Sequence, residues 1–145
     1  MVNIQQTTNH YLITTIKKNI QSGRYDKSYQ EELCALSTEG ESKIIESLIL
    51  GIPLPMGYIY VNKTPNKVIR GRNILCAIED YCIKQSFALE GLKIAHEYNG
   101  LKYSDLSPTV QYNILQSKWS VTLLNIPHIM SDELAKMMDR ICAEG

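Results

Sequence analysis

Apolar residues recur along this chain with two different periods, and the points where the period changes divide it into elements. Between Tyr11 and Gln21, Ile13, Ile16 and Ile20 fall on one helical face, and Gly23 supplies a stop. From Arg24 to Gly40 no period holds, which predicts a loop-rich connection. Thr38 and Glu41 then have the spacing of a capping box, in which each side chain satisfies a backbone N–H left over at a helix start. Ile44, Ile45, Leu48 and Ile49 form the apolar stripe of that helix. Gly51 permits a left-handed cap, and Pro53 and Pro55 prevent continuation.

The pattern then changes. Gly57 to Asn62 is aromatic and β-branched, which predicts a strand, and Lys63 to Lys67 makes the turn into a second strand ending at Ile69. Gly71 breaks that strand, and a helix burying Ile74, Leu75, Ile78, Tyr81 and Cys82 is expected to run to about Ser86. Phe87 to Leu92 reads as a short strand, and Asn99-Gly100 as a turn. Ser107-Pro108 places an N-cap before a proline at the first helical position, and Val110, Ile114 and Leu115 follow on that helix. Trp119 to Ile126 is a strand closed by Pro127, and Ser131 caps a last helix carrying Leu134, Met137, Met138 and Ile141. The expected architecture is one α+β domain spanning residues 1–145, a small mixed sheet packed with about five helices.

Composition fits one globular unit. The chain has 145 residues, 44% hydrophobic and 21% charged, and a domain of this size buries enough surface to fold without disulfides or metal. Lys+Arg and Asp+Glu are both 15, which disfavours a protein built to grip nucleic-acid phosphates. Cys34, Cys76, Cys82 and Cys142 form no C-x-x-C pair. Asn3 to His10 is polar where a secretory signal would be apolar, and no run approaches the ~20 apolar residues of a membrane span. Reduced thiols in a cytoplasm are the simplest expectation.

Candidate chemistry is sparse. Glu79 and Asp80 are neighbours on a helix and so point apart, unlike a converging acid pair. His10, His96 and His128 have no metal-ligand spacing, so no metal or cofactor is expected. One segment stands out, Arg70-Gly71-Arg72-Asn73, where a strand runs through a glycine into a helix start. Backbone N–H groups and two planar guanidinium forks could there hold a phosphate or carboxylate. The competing reading is two exposed arginines beside a structural glycine. Nine tyrosines against one Phe and one Trp fit either a half-wet interface or ordinary core use.

Several segments resemble a known family. Lys43 to Pro55 (KIIESLILGIPLP) is similar to the "LIESILLGIPIP" helix of the N-terminal domain of GmrSD-type modification-dependent restriction enzymes, which has the ParB/sulfiredoxin-like fold. In the same order, Tyr29-Gln30 resembles its Y/F-Q-R element, and Ile59-Tyr60 its first strand. Val68-Ile69 with Gly71 resembles its V-I-D-G-Q-Q-R-L motif, and Phe87 to Leu92 its F-x-L-x-G-L. Gly100 to Leu115 looks like its G-K-x-F-S-D-L segment and the helix after it. Trp119 to Ile126 fits the following strand, and Arg140-Ile141 the start of its R-L-N-x-G motif. The resemblance spans about His10 to Cys142 and implies a ParB-like nucleotide-processing scaffold.

The departures fall on the chemistry. Where the family has D-G-Q-Q-R, implicated in nucleotide binding and hydrolysis, this chain has Arg70, Gly71, Arg72, Asn73 and Ile74. A carboxylate has become a cation, which can neither hold a metal nor accept a proton. The arginine of Y-Q-R is Glu31, and the asparagine of R-L-N is lost at Cys142. The resemblance therefore implies no catalytic residues. It suggests a non-catalytic interaction protein of the kind a bacteriophage or mobile element carries, in the host cytoplasm, docking on a host or defence protein or on itself. The alternative is a nucleotide or phosphate binder, a sponge, using Arg70, Gly71, Arg72 and Asn73.

Overall fold

The computed structural model describes residues 5–26, 36–61, 65–125 and 137. Within them a four-stranded mixed sheet, ordered β1-β4-β2-β3, carries helices α1 to α4. β1 is Gln5–Leu12, β2 Gly57–Tyr60, β3 Lys67–Arg70 and β4 Lys118–Asn125; α1 is Ile13–Gln21, α2 Thr38–Leu50, α3 begins at Arg72–Ala77 and α4 is Pro108–Gln116. β4 runs antiparallel to β1 and parallel to β2, and β3 closes an antiparallel pair with β2.

The central strand shows why the sheet is two-faced. Trp119 and Val121 of β4 join Ile59 and Val68 in the main core under the helices, while Leu124 joins Tyr60 and Ile69 in a smaller cluster. Side chains alternate across a strand, so Trp119, Val121 and Leu123 of β4 turn to one face and Thr122 and Leu124, both buried, to the other. Ile13, Ile16 and Ile20 of α1 and Ile45 and Leu48 of α2 complete the main core. Each such side chain stabilises the fold by ~1.5–3 kcal/mol.

Local signals behave as their chemistry requires. Ser107 accepts from the Val110 amide at 3.3 Å with Pro108 at the first helical position, and Gly51 (φ 75°) ends α2 in the left-handed conformation. The cap of α2 sits one residue earlier than the sequence spacing suggested. Ser37, not Thr38, accepts from the Gly40 amide at 3.1 Å, which frees Glu41 to turn inward. Ser37→Ala is expected to lower stability by ~1 kcal/mol, read from chemical denaturation; an unchanged midpoint would show that the cap contributes nothing.

Four further expectations are corrected. The first helix begins only at Ile13, because Gln5–Leu12 is a strand paired with β4 along its whole length. Phe87 to Leu92 is not a strand; its segment is held by Leu89 N–H to Leu101 O (3.0 Å) and by Asn99, which bonds both backbone groups of Leu92. The helix after Gly71 changes at Ile78–Ile83 to wider π turns. Cys76 is disulfide-bonded rather than reduced, whereas Cys82 is a free, buried thiol that desolvation pushes up to about 12. Four of the eight described tyrosines serve the interior. Tyr25, Tyr60, Tyr81 and Tyr103 are buried, and Tyr81 donates to Leu101 O at 3.1 Å. Of the expected closing helix only Met137 is described, helical and exposed; Pro127, Ser131, His128 and the Lys63 turn lie outside the described residues.

Candidate ligand-binding site

At the end of β3 the chain must turn sharply into α3, and Gly71 does so at φ 105°, a region costly for any residue with a Cβ. It is required a second time by packing. A Cβ built there would lie 2.3 Å from Cζ2 of Trp119, and one on Gly57 would lie 2.4 Å from the same atom. The indole is fully buried behind the turn and is fixed by its Nε1–H donating to Pro55 O at 2.9 Å. The two glycines thus let β2 and the β3–α3 turn close on one ring edge. The glycine of the Arg70–Asn73 segment has a structural cause independent of any ligand.

In front of this turn lies a cavity of about 390 Å³. Ile44 of α2, Leu54, Pro55 and Met56 of the connection to β2, and Ile69 and Ile74 beside the turn give it apolar walls, with Leu36 also on its lining. Arg70, Gly71, Arg72 and Asn73 all line it, so the four residues singled out from the sequence share one concave surface. Their roles differ. Arg72 folds back on its own strand, donating from Nε to Val68 O (3.2 Å) and from Nη2 to Ile69 O (3.4 Å). It closes the end of β3 and is not an open fork. Arg70 is half-buried on the cavity wall. Asn73 places Oδ1 where water does not reach it and where no hydrogen-bond donor meets it among the described residues. Such an acceptor costs ~1–3 kcal/mol until a donor arrives.

A second arrangement escaped sequence reasoning. Asp80 does not pair with its neighbour Glu79 but hydrogen-bonds with Glu41 of α2, so two carboxyl groups converge from different helices. Glu41 is 5% exposed. Burial first, and then the hydrogen bond and charge of Asp80, raise its pKa from the usual carboxylate range to about 8. The proton of the pair therefore resides on Glu41, the more buried partner. Glu79 is also buried and reaches Lys84 Nζ at 4.0 Å. A signal was available: Glu41 sits four residues before Ile45 and seven before Leu48, on the buried stripe itself. Neither carboxylate lines the cavity.

No group of three or more His, Cys, Asp or Glu placed to hold a metal occurs among the described residues, and no helix among them is long and apolar enough to cross a membrane. No protein-family model matches the chain, and no curated protein or solved structure matches it.

Proposed function

We propose that this chain is a non-catalytic ligand-binding domain on a ParB-like scaffold, taking a nucleotide-like molecule with a flat, largely apolar body and an anionic group. The observation that carries this reading is the cavity at the β3–α3 turn, with apolar walls, one arginine and one buried, unpartnered amide oxygen. Ligand sites have this make-up, a hydrophobic enclosure with a few placed polar groups, and a volume of about 390 Å³ admits a small organic ligand. Arg70 would meet the anionic group, since a guanidinium offers paired donors of fixed geometry. On turning toward the cavity, the Asn73 amide oxygen would accept from an N–H of the base, the exocyclic amino group of adenine or cytosine or the imide N–H of uracil or thymine. The same lining supports the non-catalytic reading: among the described residues that line the cavity there is no carboxylate, imidazole or thiol.

Thermal shift against nucleoside mono-, di- and triphosphates, with inorganic phosphate as control, tests the reading. At about ten times its Kd a ligand stabilises by ~1.4 kcal/mol, a rise of roughly 5 °C for a domain of this size. No shift with any nucleotide sinks the proposal. The two arginines separate binding from folding. Arg70→Ala is expected to weaken binding about tenfold with the unliganded Tm unchanged, whereas Arg72→Ala lowers Tm by a few degrees through the lost Val68 and Ile69 carbonyl contacts. Equal effects of both variants on affinity alone would contradict this division.

A further inference from the structure

The two edges of the sheet are treated differently. At the β3 edge the strand is only Lys67–Arg70, its pairing with β2 shifts register between Tyr58 and Ile59, and both ends carry a cation. The segment Arg24–Asp26 covers its approach, with Asp26 N–H to Asn66 O at 2.6 Å and Asn66 N–H to Arg24 O at 2.7 Å. Arg72 takes the Val68 and Ile69 carbonyls at its far end. Short length, bulges, charges and covering segments are the means by which proteins keep an edge from pairing with another chain.

Among the described residues the β1 edge has none of them. Gln5–Leu12 is eight residues long, contains no proline and no Lys, Arg, Asp or Glu, and pairs with β4 without a bulge from Gln5↔Asn125 to Leu12↔Lys118. Gln5 to Thr8 are exposed, and among the described residues β1 pairs with β4 alone. Ile13 N–H donates to Ser117 O at 2.8 Å, in the register that continues the ladder. Hydrogen-bonded pairs alternate in an antiparallel ladder, so Tyr11, Asn9, Thr7 and Gln5 face β4, and Gln6, Thr8 and His10 turn their N–H and C=O outward. The side-chain contacts Thr8 Oγ1 to Thr122 Oγ1 (2.9 Å) and His10 Nδ1 to Ser120 Oγ (2.6 Å) fall on the alternate, closer-spaced pairs, as this phase requires.

From this contrast we infer that β1 is a self-association edge, which pairs antiparallel with β1 of a second copy of this chain to make one continuous sheet across a two-fold axis. With the axis at Thr8, Thr8 faces its own copy and Gln6 faces His10, and no like charges oppose one another. A formal net charge of 0 adds no repulsion between copies. A second copy fits better than a foreign strand. Strand addition draws its selectivity from pockets for alternate side chains, and the glutamines and threonines here form none. An identical β1 satisfies both edges at once and closes the assembly at two.

Sedimentation velocity from roughly 5 μM to roughly 500 μM is the direct test, since edge contacts of this size fall in the weak-affinity class. The expected result is a concentration-dependent shift from the 16.5 kDa chain to twice that mass. Gln6→Pro removes an outward N–H while leaving the bonds to β4, and Thr8→Lys sets two ammonium groups face to face at the axis; each should shift the equilibrium to monomer by tenfold or more. Amide exchange on the unmodified protein covers the case in which a variant fails to fold. The amides of Gln6, Thr8 and His10 should gain protection at high concentration, while those of Thr7 and Asn9 stay unchanged. A wild-type chain that remains monomeric throughout overturns the inference. So do folded variants that dimerise as the parent does, or exchange that ignores concentration.

Discussion

Gly71→Ala is expected to destabilise the domain by about 4 kcal/mol, roughly 13 °C in Tm. Two costs combine. The residue must hold φ 105°, and the new Cβ would lie 2.3 Å from Cζ2 and 2.6 Å from Cη2 of Trp119. The indole cannot retreat readily, because it is fully enclosed and tied to Pro55 O through Nε1. Replacing Trp119 by Phe removes the ring atoms that would clash. The double variant Gly71→Ala/Trp119→Phe should therefore be at least ~1 kcal/mol more stable than the sum of the single losses implies. Strict additivity, measured by denaturant unfolding, would show that the clash is not what the glycine avoids.

The second large effect is one of pH. Glu41 has a folded-state pKa of about 8 against an ordinary 4.5, so between those values the folded state holds a proton that the unfolded state has lost. Stability from this group is complete below pH 4.5, declines as pH rises, and is gone above about pH 8. Glu41→Gln keeps the shape and a donor for Asp80 while removing the ionisation. Its Tm should match that of the parent near pH 4.5 and exceed it at pH 8.5 by an amount on the order of 2 to 3 kcal/mol, or 7 to 10 °C. Parallel Tm curves for the two proteins across that range would refute the shared-proton arrangement.

What the sequence disclosed follows from where burial writes a pattern. The stripe Ile13, Ile16, Ile20, the Ser107-Pro108 start and the alternation of Trp119, Val121 and Leu123 in β4 were all legible, since each follows the regular period of its element. β1 was not. Its first residues, from Gln5 to Thr8, are exposed, so no apolar alternation marks it, and only its ladder with β4 makes it a strand. At the turn, residue types and the glycine pointed to Arg70 to Asn73, which line one cavity, but the difference between the arginines depends on carbonyls three and four residues back in a strand whose end only the fold defines. Glu41 and Asp80 lie on separate helices, and the widening of α3 at Ile78–Ile83 changes the phase by which a helical reading would aim Asp80. A capping role looked sufficient for Glu41 because Ser37 and Thr38 compete for the same cap.

Trp119 is the chain's sole tryptophan, and it stands directly behind the turn that carries Arg70 and Asn73. Its position gives the protein a built-in optical reporter. An indole sealed from water emits at short wavelength, and its neighbours Gly57 and Gly71 leave no side chain between it and the backbone that any ligand at the turn would press upon. Occupancy of the cavity can thus be followed by excitation at the indole band, without a label and without altering a residue.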